Sequence, residues 1–130
     1  MIVLDASAVV ELLLRTARGD QVAAMIDSPS VAVHAPFLVH VEVLQVLRRG
    51  VSAGWLTEVR AAQAVDDLGN LDVVAHDHAQ FLRRMWELKS NLTAYDAAYV
   101  ALAESIDASL VTADRKLVGA PGHRATVVLI

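Results

Sequence analysis

Short apolar runs alternate with segments of helical spacing along the whole 130-residue chain, and this alternation restricts its fold more than any other feature. Residues 2–4, 31–34, 73–75, 110–112 and 126–130 are strand-like: brief, apolar and bounded by polar or turn-forming residues. Between them, residues 6–14 read as a helix that Gly19 and Asp20 break, with helical spacing resuming over 21–26. Pro36 closes the second strand. Residues 38–53 form a long helix with an apolar stripe of Val39, Val43, Val46 and Leu47, and Gly50 or Gly54 near its end. Thr57 caps a helix over 57–68, another helix runs over 78–88, and 93–106 is apolar on most faces, as a central buried helix would be. Strands too apolar to face water on either side, separated by helices, predict an α/β three-layer sandwich with a mostly parallel sheet of about five strands. No linker, repeat or low-complexity stretch interrupts the pattern, so residues 1–130 are expected to form one domain.

A parallel sheet presents ligands beyond the carboxyl ends of its strands. Asp5 directly follows the first strand and Asp114 follows the fourth. Asp96 sits in the first turn of the buried helix, and Glu42 lies within the long helix among Val39, Val41, Val43 and Val46. Each acid also has an ordinary explanation. Asp5 and Asp114 stand where helix N-caps are favoured, and Asp96 with Thr93 matches a T-x-x-D capping box. Glu42 shares a face with Leu38, Gln45 and Arg49, which suits a solvated or paired side chain. As a set they are harder to explain that way. A parallel sheet brings its strand ends to one edge, and carboxylates gathered there repel one another and raise each other's pKa unless cations neutralise them. Oxygen donors with no cysteine in the chain suit Mg²⁺ or Mn²⁺, and such a site can activate water and stabilise charge on a phosphate.

At these positions the chain resembles PIN-domain ribonucleases, and in its length the VapC toxins among them. Val3-Leu4-Asp5-Ala6-Ser7-Ala8 is similar to the family's opening motif, and Ala35-Pro36-Phe37-Leu38 leading to Glu42 to its second. The segment from Leu92 to Glu104, with Thr93 and Asp96, resembles the helix carrying the third acid, and Leu110-Val111-Thr112-Ala113-Asp114-Arg115-Lys116-Leu117 resembles the fourth motif. The resemblance implies a PIN-like fold and a metal-dependent endoribonuclease that cleaves RNA to restrain translation. It implies Asp5, Glu42, Asp96 and Asp114 as catalytic metal ligands for Mg²⁺ or Mn²⁺, with Ser7 and Thr112 supporting them. It also implies a VapB-type antitoxin that blocks the site, and a homodimer that assembles with the antitoxin into a larger complex. One position departs from the pattern: many PIN domains carry a further acid two residues after the fourth-motif Asp, and Lys116 stands there. A second metal is then held weakly or arrives only with RNA.

Arg48, Arg49, Arg115 and Lys116 are the expected RNA contacts; Arg15, Arg18, Arg83 and Arg84 are further phosphate candidates, each with a solvated face as the ordinary alternative. His34, His40, His76 and His78 show no metal-ligand spacing, and His76-Asp77-His78 falls in a turn, so no role in the chemistry is expected for them. Trp55 and Trp86 read as core or interface residues. The net charge of −4 weighs against a purely passive nucleic-acid binder, although bound cations change the local field. The first residues lack a basic leader before an apolar core, and no apolar run is long enough to span a bilayer, so a cytoplasmic protein is expected. Two other classes fit less well. An aspartyl phosphatase would want an acid where Ser7 stands, and a receiver domain would want a phosphorylatable Asp ending the third strand, where Asp77 is poorly placed. A non-catalytic PIN-like scaffold would be expected to have lost acids that are all present here.

Overall fold

Val3, Leu4, Leu110 and Val111 are almost wholly shielded from solvent, which strands achieve only in the middle of a sheet covered on both faces. In the computed structural model, which describes residues Met1–Ile130, β1 (Ile2–Leu4) and β4 (Ser109–Thr112) are the inner pair. They align Val3 with Leu110 and Leu4 with Val111. β2 (Val33–Pro36) and β3 (Val74–His76) extend the sheet on one side and β5 (Val127–Leu129) on the other, giving the order β3-β2-β1-β4-β5. All four pairings are parallel.

From β1 the chain moves outward through β2 to β3, then returns past them to β4 and continues to β5. Because crossovers between parallel strands are right-handed, the two directions of travel place their helices on opposite faces. α1 (Ala6–Leu13), α2 (Ala17–Ile26), α3 (Leu38–Ala53) and α4 (Glu58–Asn70) pack among themselves on one side. On the other, a 3₁₀ turn (His78–Phe81), α5 (Leu82–Glu87) and α6 (Ala94–Ser105) pack together, with α6 lying across β1, β2 and β4. A short α7 (Arg115–Val118) connects β4 to β5. Ala97 through Ala103 are all buried, as the apolar character of α6 predicted. No helix is long and apolar enough to cross a membrane.

Several boundaries differ from the sequence expectation for identifiable reasons. The break between the first two helices falls at Leu14–Thr16, with Arg15 at φ 54°, and not at Gly19-Asp20. Thr16 caps α2 by accepting from the Gly19 amide at 3.0 Å. Gly19 lies inside α2 because the helix crosses α1 there so closely that a Cβ would come within 2.1 Å of the Glu11 carbonyl oxygen. Of the two glycines near the end of α3, Gly54 is the left-handed C-cap, at φ 81°. Gly50 is buried beneath the Trp55 ring. Trp55 and Trp86 both remain mostly exposed, so neither is a core residue; Trp86 stacks with Lys89, whose Nζ is 5.0 Å from the ring centroid. β2 runs through Pro36 instead of ending at His34, and β3 reaches His76. The helix expected over 78–88 begins as the 3₁₀ turn. The histidine tract is therefore partly strand, and His34 Nδ1 meets His76 Nε2 at 2.8 Å, tying β2 to β3.

The two kinds of glycine give opposite expectations. Gly19→Ala should destabilise the protein by about 1–3 kcal/mol through overpacking against a backbone that cannot yield. Gly69→Ala, in α4 where nothing lies within 4 Å of an added Cβ, should stabilise it by about 0.4–1 kcal/mol. Midpoints of denaturant unfolding would give both signs.

Candidate active site

The order of strands changes direction between β1 and β4, and in parallel α/β sheets it is at such a point, beyond the carboxyl ends of the strands, that ligands bind. Asp5 stands at that point, only 7% exposed. It caps α1 by accepting from the Ala8 amide at 2.9 Å. The same Oδ1 accepts from Ser7 Oγ at 2.6 Å, and Oδ2 accepts from Thr112 Oγ1 at 2.5 Å. Ser7 and Thr112 in turn receive the amides of Ala113 and Asp114, each at 2.9 Å. A buried carboxylate is tolerable only with such a shell of donors. Here the shell also joins the end of β1 to the end of β4 and fixes where Asp114 begins the next segment.

Asp114 caps the short α7, accepting from the Lys116 amide at 2.9 Å. Thr93 caps α6 by accepting from the Asp96 amide at 3.1 Å, which puts Asp96 in the first helical turn. Glu42 comes from α3, on the other side of the sheet. Its Oε2 accepts a hydrogen bond from the Tyr99 hydroxyl of α6 and it forms no ion pair with Arg49. The capping explanations for Asp5 and Asp114 are thus correct as local structure, and they do not compete with a site. A cap holds a carboxylate at a helix start, and both of these helix starts follow the carboxyl ends of the adjacent parallel strands β1 and β4.

Three of the four acids are raised, and the charge of the fourth, Asp114, contributes at Asp96. Burial is the main cause that lifts the carboxyl of Asp5 above the usual carboxylate range; Ser7, Thr112 and the Ala8 amide oppose the rise, and the charge of Asp96 adds to it. Glu42 is raised by burial, opposed by Tyr99, with further rises from Asp96 and Asp5. Asp96 is raised by burial, opposed by Thr93, and pushed further by Asp114. Such mutual repulsion in an all-oxygen donor set suits a hard divalent cation. No three of these side chains close into a ready-made cage; Asp5, Glu42 and Asp114 each accept a hydrogen bond from the protein.

Beside Glu42 lies a cleft of about 730 Å³, lined among others by Leu38, Val41, Arg48, Arg49 and Tyr95. Arg48 and Arg49 are exposed there, as are Arg115 and Lys116 on α7. Arg84 is not available to a phosphate: it grips Glu104 through two nitrogens, at 2.7 and 2.9 Å, and also reaches Glu87 and the Gly122 carbonyl. Arg18 lies 3.8 Å from Glu11. A second recess, around Glu104, Ser109 and Arg124, lies at the opposite end of β4 and holds none of the four acids. Sequence reasoning missed Tyr99. The available signal was a phenol in the middle of a buried apolar helix, since a buried hydroxyl needs a partner.

The raised acids have a sign that melting can test. A carboxyl whose native pKa exceeds its unfolded value, about 4, favours folding fully below that value and loses the contribution as pH rises through the native one. In EDTA, the melting temperature should therefore fall as pH increases through the raised values of Asp5, Glu42 and Asp96. Asp96→Asn should flatten that fall by removing one charge and relieving two others. Glu104, held below the usual range by Arg84, acts in the opposite sense and is common to both proteins. Parallel melting curves for the two across this range would contradict the electrostatic coupling.

The family model of the PIN domain matches residues 2–122. The chain is 38% identical over 130 residues to Ribonuclease VapC12 of Mycobacterium tuberculosis (strain ATCC 25618 / H37Rv), covering 100% of this chain and 99% of the relative. It is 38% identical over 117 residues to VapC ribonuclease Mb0985 of Mycobacterium bovis, covering 90% and 88%. Among solved structures, that of PAE2754 from Pyrobaculum aerophilum superposes with a TM-score of 0.69 at 25% identity, over 98% of this chain and 88% of that one. Matched by the family model over nearly its full length and by VapC relatives from end to end, the chain belongs to the PIN-domain family, in its VapC group.

Proposed function

We propose that this protein is a metal-dependent endoribonuclease, the toxin of a toxin–antitoxin pair, acting as a single PIN domain over residues 1–130. Its VapC ribonuclease relatives support the nuclease activity. The reading is carried by the gathering of Asp5, Glu42, Asp96 and Asp114 near the strand ends, where Asp5, Glu42 and Asp96 are raised first by burial and then by neighbouring acid charges, that of Asp114 included. Capping does not account for Glu42, which lies inside α3 and still feels the charges of Asp96 and Asp5.

In this reading the four acids are the catalytic metal ligands and would hold Mg²⁺ or Mn²⁺. When bound, the ion supplies Lewis acidity to a phosphate oxygen and lowers the pKa of the attacking water. The protein's own residues set the stage. Ser7 and Thr112 hold both oxygens of Asp5 in one orientation, which limits the reorganisation needed when charge develops. Arg48 and Arg49 flank the cleft beside Glu42 and, with Arg115 and Lys116, are placed to meet RNA phosphates as point contacts and forks. This local positive charge offsets the overall −4 for an anionic substrate. Lys116 occupies a place where many PIN domains have an acid, so the second metal is held weakly or comes with the RNA. A VapB-type antitoxin that covers this site, a homodimer that joins it in a larger complex, and a cytoplasmic setting complete the proposal.

Cleavage of a structured RNA by the purified chain should require Mg²⁺ or Mn²⁺ and stop in EDTA. Asp96→Asn should lower the rate by at least about 100-fold, the upper end of what losing an outer-sphere partner alone costs, while the protein remains folded. Metal-independent cleavage retained in Asp96→Asn would reduce the protein to a binding-only PIN scaffold with a contaminating nuclease.

Binding and chemistry should separate at the arginines. Arg48→Ala and Arg49→Ala should weaken RNA binding across sequences, each lowering the slope of log affinity against log salt by about 1. Unchanged salt slopes in both variants would remove these residues from the RNA path.

A further inference from the structure

Glu42 is anchored differently from the other acids. Asp5 is held by two hydroxyls and an amide, so its position survives the loss of any one donor. Glu42 has a longer side chain on the face of a helix that approaches from the opposite side of the sheet, and its one hydrogen bond within the protein is to Tyr99 Oη. Tyr99 is 2% exposed, in the middle of the buried α6, three residues after Asp96. A phenylalanine would fill the same apolar volume, so what the phenol oxygen adds is polar: its hydrogen bond to the Glu42 carboxylate and a backbone hydrogen bond from Ala6.

We infer that Tyr99 is a positioning residue that presents the Glu42 carboxylate to the metal, acting across the two helical layers. This rests on the metal-dependent reading above. Tyr99 donates to Oε2 and so restrains the carboxylate, while Oε1 accepts no hydrogen bond within the protein. Partners of this kind orient a ligand before the ion arrives, and their removal weakens metal binding without touching the ligand itself. The phenol itself stays protonated, since burial and the neighbouring carboxylate both push its pKa far up.

Calorimetric titration of the intact chain with Mn²⁺ tests this without reference to RNA cleavage. Tyr99→Phe should weaken Mn²⁺ binding about 10-fold with its unfolding midpoint in EDTA close to that of the parent. In a Glu42→Gln background the same change should have no further effect, because the path through the carboxylate is already cut. Tyr99→Phe binding Mn²⁺ as the parent does, or weakening it equally in both backgrounds, would overturn the inference while leaving the metal site standing. A parent chain that binds no Mn²⁺ would instead overturn the metal reading, and this inference with it. If Tyr99→Phe does not fold, the two tyrosines of the chain offer a second measurement. With fluorotyrosine incorporated and Tyr95→Phe, the remaining Tyr99 ¹⁹F resonance should shift on addition of Mg²⁺ and lose most of that shift in Glu42→Gln. A resonance indifferent to Mg²⁺ would sink the idea.

Discussion

The Asp5 carboxylate is almost completely withdrawn from water, and its burial is possible because the chain brings three donors to it. Ala8 and Ser7 are local, but Thr112 is 107 positions away. The network therefore forms only when β1 and β4 lie side by side. Ser7 extends it to the Ala113 amide and Thr112 to the Asp114 amide, so the same bonds that satisfy Asp5 place the fourth acid. An unpaired carboxylate at this depth would cost several kcal/mol. The central strand pairing and the integrity of the site are for that reason one constraint, not two.

Helix capping and the proposed chemistry use the same atoms. A cap such as Asp5 on α1 or Asp114 on α7 stabilises a helix start by roughly 1 kcal/mol. In a parallel α/β sheet the helix starts that follow strands gather at one edge. Local stability thus brings carboxylates to where a cation would be held. The raised acids reflect burial first and like charge second, and hydroxyls oppose the rise at each of them: Ser7 and Thr112 on Asp5, Tyr99 on Glu42, Thr93 on Asp96.

The two helical layers communicate over the strand ends through Glu42 and Tyr99. A contact of this kind makes the position of an acid on α3 depend on the seating of α6, which also carries Asp96. The far side of α6 is secured by another polar contact, where Glu104 is clamped by Arg84 and by the Arg124 amide at 2.8 Å. This clamp uses an arginine that in sequence resembles any other exposed cation near a nucleic-acid site.

Much of this was determined by sequence alone. Runs such as Ile2-Val3-Leu4 and Leu110-Val111-Thr112 are too short and too apolar for anything but buried strands, and Asp5 and Asp114 follow them directly, so the layered fold and the edge holding these acids were legible from local pattern. Thr57 and Thr93 cap the helices expected of them because capping depends on residues three apart. What tertiary structure decided was every contact between elements distant in the chain. Gly19 is a crossing point inside a helix instead of a break, because only the packed α1 backbone reveals the missing room for a Cβ. Glu42 faces Tyr99 instead of Arg49, and Arg84 is spent on Glu104 instead of on a ligand, because neither partner lies within a helical turn of its mate. Periodicity reports which face of an element is apolar; it carries no information on which polar group of another element will arrive to meet it.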